Sequence, residues 1–74
     1  MDEITIRGEM IRLGQLLKLA GVTNSGAEAK ALLAAGEVIV NGEPESRRGR
    51  QLRPGDVVSA GGRDLRLGPA TKTS

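Results

Sequence analysis

Four arginines fall within residues 46–53, SRRGRQLR, a run with no acidic and no aromatic residue. Guanidinium groups are planar and permanently charged, and they can donate paired hydrogen bonds to a phosphate. Gly49, inside the run, allows the backbone to turn or to approach a ligand closely. The pattern predicts phosphate contacts from Arg47, Arg48 and Arg50, with Arg53 beside them; the alternative is a solvated basic loop.

The placement of charge in the chain is more informative than its total. The sequence holds 11 basic and 9 acidic residues, and four of the basic ones lie in residues 46–53. The other 66 residues therefore carry seven basic and nine acidic groups. A mildly acidic body with one strongly basic edge favours a polyanionic partner.

Missing residue types exclude several kinds of site. The 74 residues contain no cysteine and no histidine, which removes the usual nucleophile, the usual base near neutral pH and the common zinc ligands. We therefore expect no enzyme, no metal site, no cofactor and no small-molecule substrate. The start of the chain does not resemble a secretory signal, and no apolar run approaches the roughly 20 residues of a membrane span. A cytoplasmic protein without membrane contact is predicted.

The first part of the chain predicts a strand and then a helix. Ile4 and Ile6 alternate with polar neighbours over residues 2–7, which is typical of a half-buried strand. A helix over residues 12–20, ending at Gly21, follows from apolar residues at helical spacing: Leu13, Leu16, Leu17 and Ala20. Gly14 inside this helix would let another backbone come close.

A second helix is predicted after a connection of about four residues. Ser25 precedes Glu28 by three positions, the spacing of a capping box. The apolar stripe of this helix comprises Ala29, Leu32, Leu33 and Gly36. Its first residues are interpreted mainly as a helix cap, but phosphate could also dock beside Asn24 and Ser25, because a helix N-terminus favours anions.

The period changes to two after Gly36. Val38 and Val40 precede an Asn-Gly turn, and a Gly-Gly turn precedes Leu65 and Leu67 in a predicted tight hairpin. The fold class predicted is α+β, with two helices packed on a small, mostly antiparallel sheet. Residues 1–67 are expected to form a single domain, and residues 68–74 a flexible C-terminal tail.

These segments together resemble a known family, the S4 RNA-binding domain or α-L motif, and in particular the small free-standing S4-like proteins of bacteria. The matching segments follow one another in the expected order: LGQLLKLAG (13–21), the Ser-Gly helix start with Ala-Lys (25–30), G-x-V-x-VNG (36–42), RRGR (47–50) and PGD (54–56). One position departs from the pattern. Many S4 domains carry an arginine after the serine that opens the second helix, whereas this chain has Gly26, and the arginine loop is a candidate to compensate.

The resemblance implies binding to structured RNA of ribosomal or transfer-RNA type, in a ribosome-related context, with the two helices forming the docking surface. The absence of aromatic side chains agrees with recognition of folded RNA by shape, because single-strand binders stack bases on aromatic rings. The alternative is an adaptor whose basic edge binds an acidic protein. We expect a monomer in which the arginines and the helical pair share one outward surface; pairing of the arginines with the chain's own carboxylates would count against this. The candidate RNA-binding residues are Arg12, Lys18, Asn24, Ser25, Lys30, Arg47, Arg48, Arg50 and Arg53.

Overall fold

The computed structural model describes residues 2–69, which form two helices and seven short strands. Five of the strands make the main sheet: β1 (Asp2–Thr5), β3 (Ile39–Val40), β4 (Glu43–Pro44), β6 (Val57–Ala60) and β7 (Arg63–Gly68). Their order across the sheet is β1-β7-β6-β3-β4. All neighbours are antiparallel except β1 and β7, which are parallel. The predicted α+β class is confirmed.

The two helices lie where the apolar spacing places them. Helix α1 spans Leu13–Leu19 and helix α2 spans Gly26–Ala34, each within about a turn of the predicted bounds. Gly21 and Gly36 follow them with φ of 75° and 74°, the left-handed conformation in which many helices end. The two helices contact each other directly.

The core between the helices and the sheet is entirely aliphatic. It takes residues from both helices, from the strands and from the segments beside them, which is the two-layer packing that the amphipathic pattern predicts. Ala20 and Leu32, both assigned to the apolar stripes, lie at its edge and are half-buried. The buried members are Ile6, Leu13, Leu16, Leu17, Ala29, Leu33, Val38, Val40, Leu52, Val58, Ala60, Leu65 and Leu67.

Two tight turns connect neighbouring strands of the main sheet. Asn41 and Gly42 have φ of 51° and 85°, and Gly61 and Gly62 have φ of 59° and 78°. Positive φ at both central positions is the two-residue hairpin geometry that matches the twist of the strands. The predicted hairpin at the second of these turns is therefore confirmed, and the first turn joins β3 to β4.

A second, two-stranded ribbon was not predicted. Strand β2 (Ile11–Arg12) pairs antiparallel with β5 (Gln51–Leu52), whereas the sequence pattern placed Arg12 in the first helix and residues 51–52 in a basic loop. Two-residue strands carry no measurable periodicity, so only pairing in space identifies them. The ribbon joins the start of α1 to the end of the arginine run.

The end of the described region extends the sheet slightly past the expected domain boundary. Gly68 belongs to β7 and its carbonyl accepts a hydrogen bond from the Ile6 amide. The rest of the predicted tail, from residue 70 onward, lies outside the described residues.

Candidate nucleic-acid interface

The arginine loop, residues 46–50 between β4 and β5, is attached to the beginning of helix α1. The amides of Leu13 and Gly14 donate to the carbonyls of Arg50 and Arg48, at 2.9 and 3.0 Å. The first N–H groups of a helix have no partner within it, so an external acceptor stabilises them. The loop itself turns through a hydrogen bond from the Arg50 amide to the Arg47 carbonyl, at 3.2 Å. Loop and helix therefore form one rigid unit.

Gly14 permits a close approach of the Arg48 side chain, whereas its place inside the helix led us to expect the approach of another backbone. A Cβ atom there would lie 2.5 Å from Cγ of Arg48, which is far inside van der Waals contact. The side chain of Arg48 crosses the glycine and continues toward α2. A Cβ atom on Gly26 would lie 3.8 Å from its Nη1 atom. The guanidinium group therefore lies beside the first residue of the second helix.

Arg48 forms one wall of a cleft between the two helices. The cleft has a volume of about 380 Å³, large enough for a phosphate group and part of a sugar. Three of its lining residues are basic and none is acidic, so its potential favours an anion. The lining residues are Arg12, Gly14, Gln15, Lys18, Gly26, Ala29, Arg48 and Gly49.

The other two arginines of the RRGR segment are held by Glu45. One carboxylate oxygen accepts from Nη1 of Arg50 at 2.8 Å, and the other accepts from Nε of Arg47 at 3.2 Å. This intramolecular pairing counts against Arg47 and Arg50 as simple phosphate ligands. Arg47 nevertheless has a side chain that is 74% exposed. Arg48 makes no ion pair within residues 2–69. The arginine cluster is thus divided between a structural pair and one arginine presented to the cleft.

Glu45 is a functional candidate that the sequence interpretation missed. Its side chain is only 8% exposed, and hydrogen bonds from Arg47 and Arg50 lower its pKa from 4.5 to about 2. The same contact raises the pKa of Arg47. An acidic residue directly before an arginine run was the available signal, but sequence alone does not indicate which side chains meet.

The start of helix α2 is capped largely as predicted. Ser25 Oγ accepts from the Glu28 amide at 3.2 Å, and the Glu28 carboxylate accepts from the Asn24 amide at 2.8 Å. The carboxylate thus binds one residue earlier than the expected reciprocal contact with Ser25. Its negative charge lies at the helix end, where it competes with any external anion. Asn24 and Ser25 therefore serve mainly to cap helix α2 rather than to bind phosphate.

The remaining two candidates lie apart from the cleft lining. Lys30 is exposed on helix α2, and Arg53 is exposed after β5. The amide of Arg53 donates to Asp56 Oδ2 at 2.9 Å, so its backbone belongs to the turn over residues 53–56. Of the nine candidates, the fold brings Arg12, Lys18 and Arg48 together in one cleft, and it adds Gln15, which had not been singled out.

A family model for the S4 domain matches residues 4–67, which is most of the chain. The chain belongs to the S4 domain family. The resemblance seen in the sequence motifs is therefore confirmed.

Relatives of this S4 domain include small bacterial proteins. The "Probable ribosome maturation protein RlbA" of Bacillus subtilis is 58% identical over 61 residues, covering 82% of this chain and 86% of that protein. The "Putative RNA-binding protein YbcJ" of Escherichia coli is 39% identical over 57 residues, covering 77% of this chain and 81% of that protein.

Among solved structures, the 30S ribosomal protein S4e of Thermoplasma acidophilum has a similar fold. The TM-score is 0.61 at 24% identity, and the match covers 80% of this chain but only 31% of that protein. At this identity the likeness concerns the fold alone.

Two short motifs of the S4 domain have a structural role here. Asn41 of the VNG turn exchanges hydrogen bonds with the backbone of Val57, at 2.8 and 2.9 Å. Its Nδ2 also donates to Oδ1 of Asp56 in the PGD segment, at 3.2 Å. The two motifs therefore tie the β3–β4 turn to the turn before β6, which fixes the sheet under the helices.

The departure at Gly26 has a geometric counterpart. Many S4 domains place an arginine at this position, and here the guanidinium group of Arg48 lies beside the glycine, reaching it from the loop. Because glycine has no side chain, the cleft has room for that group. The loop thus supplies a positive charge at the place where the helix lacks one.

Residues 2–69 contain neither a membrane-spanning helix nor a cluster of metal ligands. No helix in this range is long and apolar enough to cross a membrane. No group of three or more potential metal ligands among these residues is arranged to hold a metal ion.

Proposed function

We propose that this S4 domain is a non-enzymatic module that docks as a monomer on structured RNA, of ribosomal or transfer-RNA type, in the cytoplasm. The observation that carries the proposal is the cleft in which Arg12, Lys18 and Arg48 converge without an acidic neighbour. The relatives named "Probable ribosome maturation protein RlbA" and "Putative RNA-binding protein YbcJ" support the same function.

The mode of binding is electrostatic and geometric. Arg48 is the central ligand, because its guanidinium group lies between the two helices and makes no ion pair among the described residues. Arg12 and Lys18 contribute two further phosphate contacts from the same cleft. Phosphate contacts position a protein on a nucleic acid without reading its sequence.

The partner is a folded RNA because the chain has no aromatic residue on which exposed bases could stack. Double-stranded and compactly folded RNA is recognised through its shape and its phosphates, which suits a rigid cleft. Three cleft contacts predict a slope of log K against log salt of about −2 to −3, at roughly −0.7 to −0.9 per phosphate contact.

Crosslinking in cells tests the proposal directly. A tagged chain is crosslinked, and the attached RNA is sequenced for wild type, Arg48→Glu and Arg66→Glu. Arg66 is an exposed arginine of β7 that does not line the cleft, so its reversal is a matched control for charge. We expect ribosomal or transfer RNA in the wild-type sample, loss of crosslinking with Arg48→Glu, and retention with Arg66→Glu.

Crosslinking at the wild-type level in both variants would refute the cleft as the RNA site. Equal loss in both would mean that net charge, not the cleft, determines binding. Binding of the recovered RNA in vitro that is insensitive to salt would contradict the phosphate-contact mechanism.

The second candidate function is a protein-interaction adaptor, and one observation favours it. Met10 and Leu19 are 37% and 58% exposed, and they line a groove with Ile11 that shares Gln15 with the cleft. An apolar patch beside a basic edge is typical of a protein-binding surface. Retained RNA crosslinking in Arg48→Glu, together with loss of a co-purifying protein in Leu19→Ser, would favour this function.

A further inference from the structure

The carboxylate of Glu45 organises the backbone and side chains of the arginine loop at once. It accepts from the amides of Ser46 and Arg47, at 3.0 and 3.1 Å. It also accepts from Nε and Nη2 of Arg47, both at 3.2 Å, and from Nη1 of Arg50 at 2.8 Å. Five donors from three residues of the loop meet one buried acid.

A negative charge is unexpected at this place in a surface that binds a polyanion. Glu45 cancels one of the loop's positive charges and occupies the donors of two arginines. Simple electrostatics therefore predicts that removing its charge strengthens RNA binding. Its burial and its five contacts instead indicate that Glu45 maintains the conformation of the arginine loop.

The residue positioned by this conformation is Arg48, which lies in the sequence between the two arginines that Glu45 binds. With Arg47 and Arg50 fixed, the turn between them is closed and the Arg48 carbonyl is aligned with the Gly14 amide. The Arg48 side chain then leaves the loop on the side of the cleft, across Gly14 and toward Gly26. Without the carboxylate, the two flanking guanidinium groups repel each other and the turn loses its anchors.

We propose that Glu45 is a positioning residue for RNA binding, which holds Arg47 and Arg50 so that the loop presents Arg48 to the cleft. The inference rests on the proposed function. It assigns the arginines of the run different tasks: Arg47 and Arg50 maintain the shape of the loop, and Arg48 contacts the ligand.

Two isosteric substitutions separate this proposal from simple electrostatics. Glu45→Gln and Glu43→Gln each remove one negative charge, two residues apart, but Glu43 is exposed in β4 and makes none of the loop contacts. Purified bacterial ribosomal RNA is the probe, titrated at several salt concentrations. We expect Glu43→Gln to bind as well as wild type or slightly better. Glu45→Gln should bind about tenfold more weakly or worse, as expected for the loss of one charge-assisted contact, although its net charge is more positive by one.

The salt dependence distinguishes positioning from a general loss of fold. Glu45→Gln should make the slope of log K against log salt shallower by about 0.7–0.9, the value of one phosphate contact. In an Arg48→Ala background, the same substitution should have little further effect on affinity. If Glu45→Gln does not fold, as judged by thermal melting, Arg50→Gln removes the 2.8 Å contact while the pair of Glu45 with Arg47 remains. It should weaken binding more than Arg66→Gln does.

The outcomes separate this inference from the proposed function. If Arg48→Ala binds the RNA like wild type, the proposed function fails. If Arg48→Ala weakens binding but folded Glu45→Gln binds equally or more tightly than wild type, only the positioning role of Glu45 is overturned. Equal effects of Arg50→Gln and Arg66→Gln would overturn that positioning role as well.

Discussion

Replacing Gly14 by alanine should move the Arg48 side chain out of the cleft without changing the charge of any residue. The added methyl carbon would lie 2.5 Å from Cγ and 3.1 Å from Cδ of Arg48, so that side chain must move. The Arg48 carbonyl oxygen would be 3.5 Å away, an ordinary contact. The loop backbone and its hydrogen bond to the residue 14 amide can therefore remain in place.

The expected changes in stability and in binding differ in size. Gly14 is in the first turn of α1, so alanine gains at most the roughly 1 kcal/mol by which it is favoured over glycine in a helix interior, and moving the Arg48 side chain off its rotamer costs roughly 0.5–1.5 kcal/mol. The free energy of unfolding should thus fall by no more than about 1.5 kcal/mol. Loss of one charge-assisted phosphate contact, about 1.5–3 kcal/mol, should weaken RNA binding by roughly 10- to 150-fold.

Fluorescence anisotropy with a labelled ribosomal RNA fragment measures the affinity, and thermal melting measures the stability. The slope of log K against log salt should become shallower by about 0.7–0.9. In an Arg48→Ala background, Gly14→Ala should have no further effect on affinity. Wild-type affinity and slope in Gly14→Ala, or an equal loss in both backgrounds, would refute the placement of Arg48 in the ligand site.

The same geometry leads to three further predictions. Lys18→Ala should make the salt slope shallower by about 0.7–0.9, whereas Lys30→Ala, outside the cleft, should leave it unchanged in the same titration. Gly26→Arg should restore RNA affinity to Arg48→Ala, because it returns a guanidinium group to the start of α2. Unchanged affinity would contradict the idea that Arg48 replaces an arginine at position 26. The pKa of Glu45 is lowered from 4.5 to about 2, so its contribution to stability is complete above pH 4.5 and disappears as the pH falls toward 2. Urea unfolding of wild type and Glu45→Gln should therefore differ at about pH 6 and converge near pH 2, and a constant gap would show that the carboxylate is not the cause.

Much of the fold could be predicted because the apolar pattern is local. The spacing of Leu13, Leu16 and Leu17 allows only one face of a helix to be buried, and these residues are all in the core. The Asn41–Gly42 and Gly61–Gly62 turns were predictable because few residues adopt positive φ at two successive positions. By contrast, the β2–β5 ribbon and the parallel pairing of β1 with β7 join segments distant in sequence, and no local pattern records such pairs.

The sequence by itself determined the kind of chemistry: a chain without cysteine, histidine or aromatic residues, with its positive charge concentrated in one run, is suited to phosphate. Tertiary structure alone decided which cations lie in the same cleft. Arg48 lines the same cleft as Arg12 and Lys18 because the first amides of helix α1 need acceptors and the loop provides them, while Glu45 binds Arg47 and Arg50. The charge of each residue follows from its type, but the direction of its side chain depends on contacts that only folding brings together.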